Sequence, residues 1–472
     1  MSEAAALDLT YEPLIEVSAL LRARRISAVE LTQLALSRAA RLNPELNAFI
    51  TIMREDALSS AASVDRLRAS GADLGPLAGI PVGVKDNFAT AGVRTTAGSR
   101  VLAGWVPTED AEVVRRLREA HAIIVGKTNL TEFARSVVHP DFGEARNPWD
   151  RARSCSASSS GSACAVAAGV TYAALGSDTG GSVRLPAAAC GVVGLKPTWG
   201  LVSRIGLVPD IVTHDHVGPL TRSVTDAALL LQVLAGYDPR DPGSAQTKPV
   251  DYLATLKDGV RGLTIGVPKR QESEAIDDQM ASAYEVALRV FEGEGARLVP
   301  VDVPDYLTLR KISMTIGGPE TAAAHREWIR SRGDDYSEAT RMIVRSGEFV
   351  PASAYVHALK LRLRMQAAYD QVLRQVDVIA APVIPFPAWR IGDVTIELGG
   401  QREDIMMSNA RYSPAFAVTG HPALAIPSGF SHEGLPLAFQ LAGARFDDAT
   451  VLRAAFAYER ATPWHDRHPA LS

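Results

Sequence analysis

The segment Gly176-Ser177-Asp178-Thr179-Gly180-Gly181-Ser182-Val183-Arg184 has the composition of a reactive turn. Two glycines before a serine let the backbone bend tightly and aim successive N–H groups into one concavity, which can hold a developing oxyanion. The serine that follows stands where a nucleophile would be needed; a plain structural turn is the other reading. A second serine cluster, Ser158-Ser159-Ser160-Gly161-Ser162, opens a run of small residues. Serines at that place also serve as simple helix caps. Lys85, in Gly83-Val84-Lys85-Asp86-Asn87, follows an apolar stretch. A lone lysine is usually a solvated charge, but no histidine stands in an obvious base motif. A serine nucleophile would then need another activator, and a buried lysine can act so because burial favours its neutral form.

Other chemistries fail on spacing. Gly126-Lys127-Thr128 ends like a phosphate-binding loop, but His121 occupies the position where that loop needs its first glycine. There is no Gly-x-Ser-x-Gly elbow and no His-Glu-x-x-His. His214 and His216 flank Asp215, but neighbours on a strand point to opposite faces, which argues against a shared metal.

These residues need a scaffold, and the pattern around them alternates between helix and strand. Ser27 with Glu30 forms a capping box for a helix that Asn43-Pro44 is expected to end. Residues 80–84 read as a short buried strand that leaves Lys85 at its end. Residues 111–120 read as an amphipathic helix feeding a strand at 123–125, and the apolar run 163–175 as a buried helix. Strands are expected at 263–267, 298–303, 376–383 and 438–441, with helices at 226–235, 281–292, 352–375 and 449–460. Residues 391–408 read as a surface excursion. The alternation predicts an α/β fold.

Composition fits an ordinary globular protein. The chain has 472 residues with a formal charge of −4 from 49 basic and 53 acidic side chains. That balance predicts neither nucleic acid nor membrane as a partner. The first residues, Met1-Ser2-Glu3-Ala4, lack a basic leader, and the apolar run 163–175 is too short to span a bilayer. Three cysteines without paired spacing suit a reducing compartment, so a cytoplasmic location is expected.

Taken together, the motifs resemble the amidase signature family. The match includes Gly79-Ile80-Pro81-Val82-Gly83-Val84-Lys85-Asp86, Gly126-Lys127-Thr128-Asn129-Leu130-Thr131-Glu132-Phe133-Ala134, Asn147-Pro148-Trp149-Asp150 and the whole block from Leu175 to Thr198. It continues through Val217-Gly-Pro-Leu220 to Gly420-His-Pro-Ala-Leu-Ala-Ile-Pro427 and Gly434-Leu-Pro436, and so covers most of the chain.

The resemblance implies a single domain over residues 1–472 with a large, mixed, twisted β-sheet wrapped by helices. Its parts would be a helical N-terminal region to about 75, a signature core over about 76–240, and a C-terminal part of the same sheet. It implies Lys85 as catalytic base, Ser158 as a bridging serine on a cis peptide, and Ser182, 24 positions later, as nucleophile. Thr179, Gly180, Gly181 and the Ser182 backbone would form the oxyanion hole. No metal or other cofactor is implied. One departure stands out: where the family usually reads Gly-Gly-Ser-Ser-Gly-Gly-Ser, this chain has Ser156, Ala157 and Ser160 in place of three glycines.

By the same analogy, Val137, Val138, Met314, Ile316, Ile384, Phe386 and Trp389 fall in segments expected to line a pocket, with few formal charges beyond Arg135. Apolar walls suit neutral aromatic or aliphatic ligands. The expected activity is therefore hydrolysis of amides, anilides, carbamates or esters of neutral small molecules, by a monomer or homodimer. The alternative is the amidase subunit of a tRNA-dependent amidotransferase, and a catalytically dead binding protein is disfavoured by retention of all three triad residues.

Overall fold

The chain places Lys85 at the end of a strand whose apolar run Pro81-Val82-Gly83-Val84 suits a parallel sheet position covered on both faces. The computed structural model describes residues 8–135, 137–269 and 275–471. In chain order the strands are β1 (Phe49–Ile52), β2 (Pro81–Lys85), β3 (Ile123–Thr128), β4 (Ala173–Asp178), β5 (Val193–Lys196), β6 (His216–Thr221) and β7 (Thr264–Pro268). They continue with β8 (Arg297–Val301), β9 (Val378–Pro382), β10 (Thr395–Leu398), β11 (Gln401–Asp404), β12 (Ala423–Phe430) and β13 (Pro436–Gly443).

Eleven strands form one mixed sheet in the order β1-β3-β2-β4-β6-β5-β12-β13-β9-β7-β8. Strands β3, β2 and β4 run parallel, as do β9, β7 and β8; the pairs between these two groups are antiparallel. Every residue of β2, β3 and β4 is buried. Val84 lies opposite Leu175, so the carboxyl ends of β2 and β4 open side by side. In open α/β sheets that edge is where loops can gather functional groups without breaking the core.

Several elements differ from the sequence reading. The run 163–175 is no single helix: helix Ser160–Ala167 ends, Gly169 takes φ +64°, and β4 begins at Ala173. An apolar run alone does not distinguish buried helix from buried strand, and the glycine decides it here. Pro44 does not stop its helix, which runs from Ala28 to Leu46. The stop is Asn47, left-handed at φ 48°, whose N–H donates to the Asn43 carbonyl at 2.8 Å. Residues 391–408 contain the β10–β11 hairpin and lead into a short helix, Ile405–Asn409. The helix Tyr306–Ala324 and strand β12 had no sequence expectation. The expectation for Met1 to Ala4 lies outside the described residues. No helix among the described residues is long and apolar enough to cross a membrane.

Helix Ser160–Ala167 packs against the sheet at an unusually close approach. A Cβ on Gly161 would lie 2.3 Å from the Ala48 carbonyl oxygen and 2.4 Å from the Asn129 nitrogen. Both obstacles are backbone and cannot rotate away. Gly161→Ala is expected to destabilise the fold by about 1–3 kcal/mol, read as a lower urea midpoint at unchanged slope.

Candidate active site

Lys85 is fully buried, and its Nζ lies 2.7 Å from Ser158 Oγ, 2.8 Å from Ser177 Oγ and 3.5 Å from the Ser177 carbonyl oxygen. Asn87 Nδ2 donates to Ser177 Oγ at 3.0 Å. Burial pushes the Lys85 ammonium down to about 7, although Asp178, Asp215 and Asp210 pull the other way. Two other buried lysines are depressed for the same reason, Lys196 to about 7 and Lys127 to about 8. The low value therefore does not single out a base, and geometry does. Lys127 donates to the Phe88 carbonyl at 2.5 Å and to Thr95 Oγ1 at 2.8 Å, which clamps a loop. Lys196 donates to the Pro197 carbonyl at 3.0 Å. Of the three, Lys85 is the one in contact with a candidate catalytic serine.

Ser182 follows β4 by four residues and is half-buried, within reach of solvent. Its carbonyl accepts the Ser159 N–H at 3.2 Å, which ties the two serine loops together. Among the described residues no side-chain hydrogen bond joins Ser158 to Ser182. Gly181 takes φ +124°, and a Cβ there would meet Ser413 Oγ at 2.3 Å, so this turn requires glycine.

The Gly181 N–H is not free to face a ligand: it donates to Asp178 Oδ1 at 2.7 Å. The N–H groups of Thr179, Gly180 and Ser182 have no acceptor among the described residues. Asp178 also accepts the Val183 N–H at 3.1 Å and pairs with Arg184 at 3.0 Å, both side chains being fully buried. Burial opposes that charge, but the Arg184 guanidinium holds the Asp178 carboxyl below its usual range.

The expected cis peptide before Ser158 is absent: no described peptide bond is cis. The turn is made at Ser156, which adopts φ +71° at a position where the resemblance implies glycine. Its N–H donates to Ser154 Oγ at 3.0 Å and its hydroxyl to Asn409 Oδ1 at 3.1 Å, and these bonds hold a conformation that costs a non-glycine residue energy.

Of the residues expected to line an apolar pocket, Ile316, Ile384, Phe386 and Trp389 are buried, Val137 is half-buried and Met314 is exposed. Ile316 is buried in the core beneath helix Tyr306–Ala324, while Met314 on the same helix faces solvent. Two positions apart on a helix is about 200°, so both could not face one cavity. Ile384 belongs to the main core, and Phe386 packs on Trp389 in a small cluster with Leu398 and Ile405. Val137 is half-buried, and its carbonyl accepts the Glu132 N–H. Polar groups given no role in the sequence reading touch Lys85 or the nucleophile loop. Ser177 and Asn87 support Lys85, Ser413 Oγ donates to the Gly180 carbonyl at 2.6 Å, and Asp215 accepts from Thr179. Ser177 is legible in principle, being part of the central motif; Ser413 lies 231 residues from Ser182 with no motif around it. Among the described residues no group of three or more His, Cys, Asp or Glu side chains is arranged to hold a metal.

Comparison with known proteins corrects the expected activity. The chain is 38% identical to the A subunit of glutamyl-tRNA(Gln) amidotransferase from Carboxydothermus hydrogenoformans, over 98% of its own length and 100% of the relative's. The solved structure of the corresponding Thermotoga maritima protein superposes with a TM-score of 0.81 at 34% identity, covering 97% of this chain and 96% of that one. A second solved structure comes from a vestigial protein complex that reveals the evolutionary origins of an s-triazine catabolic enzyme. It superposes with a TM-score of 0.91 at 32% identity, covering 95% of this chain and 98% of that one.

The amidotransferase relatives overturn the expectation of a stand-alone hydrolase of neutral, apolar small molecules. They also overturn the expected partner set: a small-molecule substrate alone, no nucleic acid, and a monomer or homodimer. Those relatives are subunits, of an enzyme named for a charged tRNA. Charge balance misleads here because net charge reports on the whole surface and is silent about local recognition. The Amidase family model matches residues 30–452, and with relatives this similar from end to end, the chain belongs to the amidase signature family.

Proposed function

We propose that this amidase is the amide-hydrolysing subunit of a tRNA-dependent amidotransferase, with Lys85, Ser158 and Ser182 as its triad. The observation that carries the chemistry is the 2.7 Å contact between Ser158 Oγ and a fully buried lysine held at about 7. The similarity to amidotransferase relatives supports the assembly.

Neutral Lys85 takes a proton from Ser158, and Ser158 takes one from Ser182. Ser182 Oγ bonds to the amide carbon, and the carbonyl oxygen becomes an oxyanion facing the N–H groups of Thr179, Gly180 and Ser182. Collapse breaks the C–N bond, Ser158 protonates the departing nitrogen, and ammonia leaves. Water then attacks the Ser182 ester by the same proton route and releases the acid. Ser177 and Asn87 hold Lys85 on Ser158 throughout.

Ammonia release from glutamine is the test. The chain is expected to hydrolyse glutamine with a higher kcat/KM than an anilide or aryl carbamate, and the rate is expected to rise when amidotransferase partner subunits are added. Preference for the anilide or carbamate, with no response to partner subunits, would defeat the proposal.

A further inference from the structure

The triplet His214-Asp215-His216 is not absorbed by the mechanism above, yet its aspartate reaches the nucleophile loop. Asp215 is buried, and its Oδ1 accepts the Thr179 hydroxyl at 2.6 Å. Its Oδ2 accepts the backbone N–H groups of Asp210 and Ile211, each at 3.1 Å. Asp210 is in turn paired with Arg135 at 3.0 Å and accepts the Thr321 hydroxyl at 2.8 Å. A continuous hydrogen-bonded path therefore runs from helix Tyr306–Ala324, through the loop before β6, to the loop after β4.

The loop 179–182 is held at three points. Asp178 takes the Gly181 N–H, Ser413 takes hold of the Gly180 carbonyl, and Asp215 takes the Thr179 side chain. The first two restrain the middle of the loop. Asp215 restrains its beginning, the point from which the Thr179 and Gly180 N–H groups are aimed. A buried carboxylate accepting three hydrogen bonds has no freedom to follow a drifting loop, so it acts as a fixed post.

We propose that Asp215 is a positioning residue for the oxyanion-binding loop, acting through the Thr179 hydroxyl. This role rests on the reading of Ser182 as nucleophile. Asp215 touches no reacting atom. Its effect is to keep N–H donors where charge develops in the transition state, an alignment whose loss by about 1 Å costs on the order of 100-fold in rate.

Asp215→Ala would strip an acceptor from two buried N–H groups and is prone to misfold, so the decisive variant is Thr179→Val. It removes only the hydroxyl at nearly constant volume. The measurement is inactivation by a fluorophosphonate, whose tetrahedral adduct places an oxygen where the oxyanion forms. Thr179→Val is expected to lower the maximal rate of inactivation by about 10–100-fold with reagent affinity unchanged. Thr179→Ser is expected to restore most of it, because only the hydroxyl is needed. In glutamine hydrolysis the same variants should change kcat and leave KM near the native value. Full rates in Thr179→Val, a loss expressed in affinity alone, or failure of Thr179→Ser to rescue would each overturn the role. Ser182→Ala in the same assay separates the two ideas. If it is still labelled and active, the nucleophile reading itself is wrong; if it is inert while Thr179→Val is fully active, only the positioning role is lost.

Discussion

Ser182→Ala is expected to abolish acyl-enzyme formation and lower kcat by a factor on the order of 10⁴–10⁶, while thermal unfolding stays close to native. The side chain is half-buried, and its hydroxyl makes no hydrogen bond among the described residues. Alanine therefore removes the attacking oxygen and little else. Gly181 must still take φ +124° and Arg184 must still pair with Asp178, so the turn survives. Intact-mass measurement after treatment with a phosphonylating reagent is the direct check: one adduct, mapped to Ser182 and absent from the variant. An adduct elsewhere with full loss of activity would reassign the nucleophile.

Lys85→Ala is expected to lower kcat by about 10²–10⁴, and Lys85→Arg is expected to recover none of it. A guanidinium stays protonated across the accessible pH range, so it cannot accept the Ser158 proton, and its planar fork does not fit a site shaped for one Nζ. The pH profile follows from the direction of the lysine's shift. Burial holds its folded-state value at about 7, below an ordinary value of 10.5, and the active form is the neutral amine. Rate should therefore rise as pH rises through about 7 and level off above it. Stability moves in the same direction. Between about 7 and 10.5 the unfolded chain binds a proton at Lys85 that the folded chain does not, so this group favours the folded state increasingly as pH rises across that window. Replacement by methionine should consequently leave the protein no less stable at neutral pH. A Lys85→Arg enzyme with near-native rates, or a profile flat from about pH 5 to 9, would remove the base role.

Much of the architecture is legible because local rules suffice. The capping box at Ser27 and Glu30 forms as expected, with the Ser27 N–H donating to Glu30 at 2.9 Å and the Glu30 N–H donating to Ser27 Oγ at 3.0 Å. The strand ending in Lys85 and the helices Glu112–Glu119 and Asp448–Arg460 lie within a residue or two of their patterns. Sequence and structure part where two structures share one pattern. The run 163–175 is apolar whether it is helix or strand, and Pro44 is tolerated near a helix end that Asn47 closes.

Which apolar side chains line a pocket is not legible in the sequence, for a related reason. Apolar side chains such as Ile384 and Phe386 serve equally as core, and hydrophobicity carries no record of which cavity, if any, a side chain will face.

Residue type and spacing by themselves reached an alternating α/β pattern and a dense glycine-serine motif that encodes its turn locally; the resemblance those motifs carry implied the family, the large mixed sheet and the choice of Lys85, Ser158 and Ser182. Tertiary structure alone decided the rest. It brought Lys85 and Ser158, 73 residues apart, to 2.7 Å, and it buried the lysine deeply enough to lower its proton affinity. It also committed the Gly181 N–H to Asp178 and set Asp215 against Thr179 and Ser413 against Gly180. The last two, like the lysine contact, join segments distant in sequence. Burial and orientation depend on what the rest of the chain packs around a group, and no local pattern contains that information.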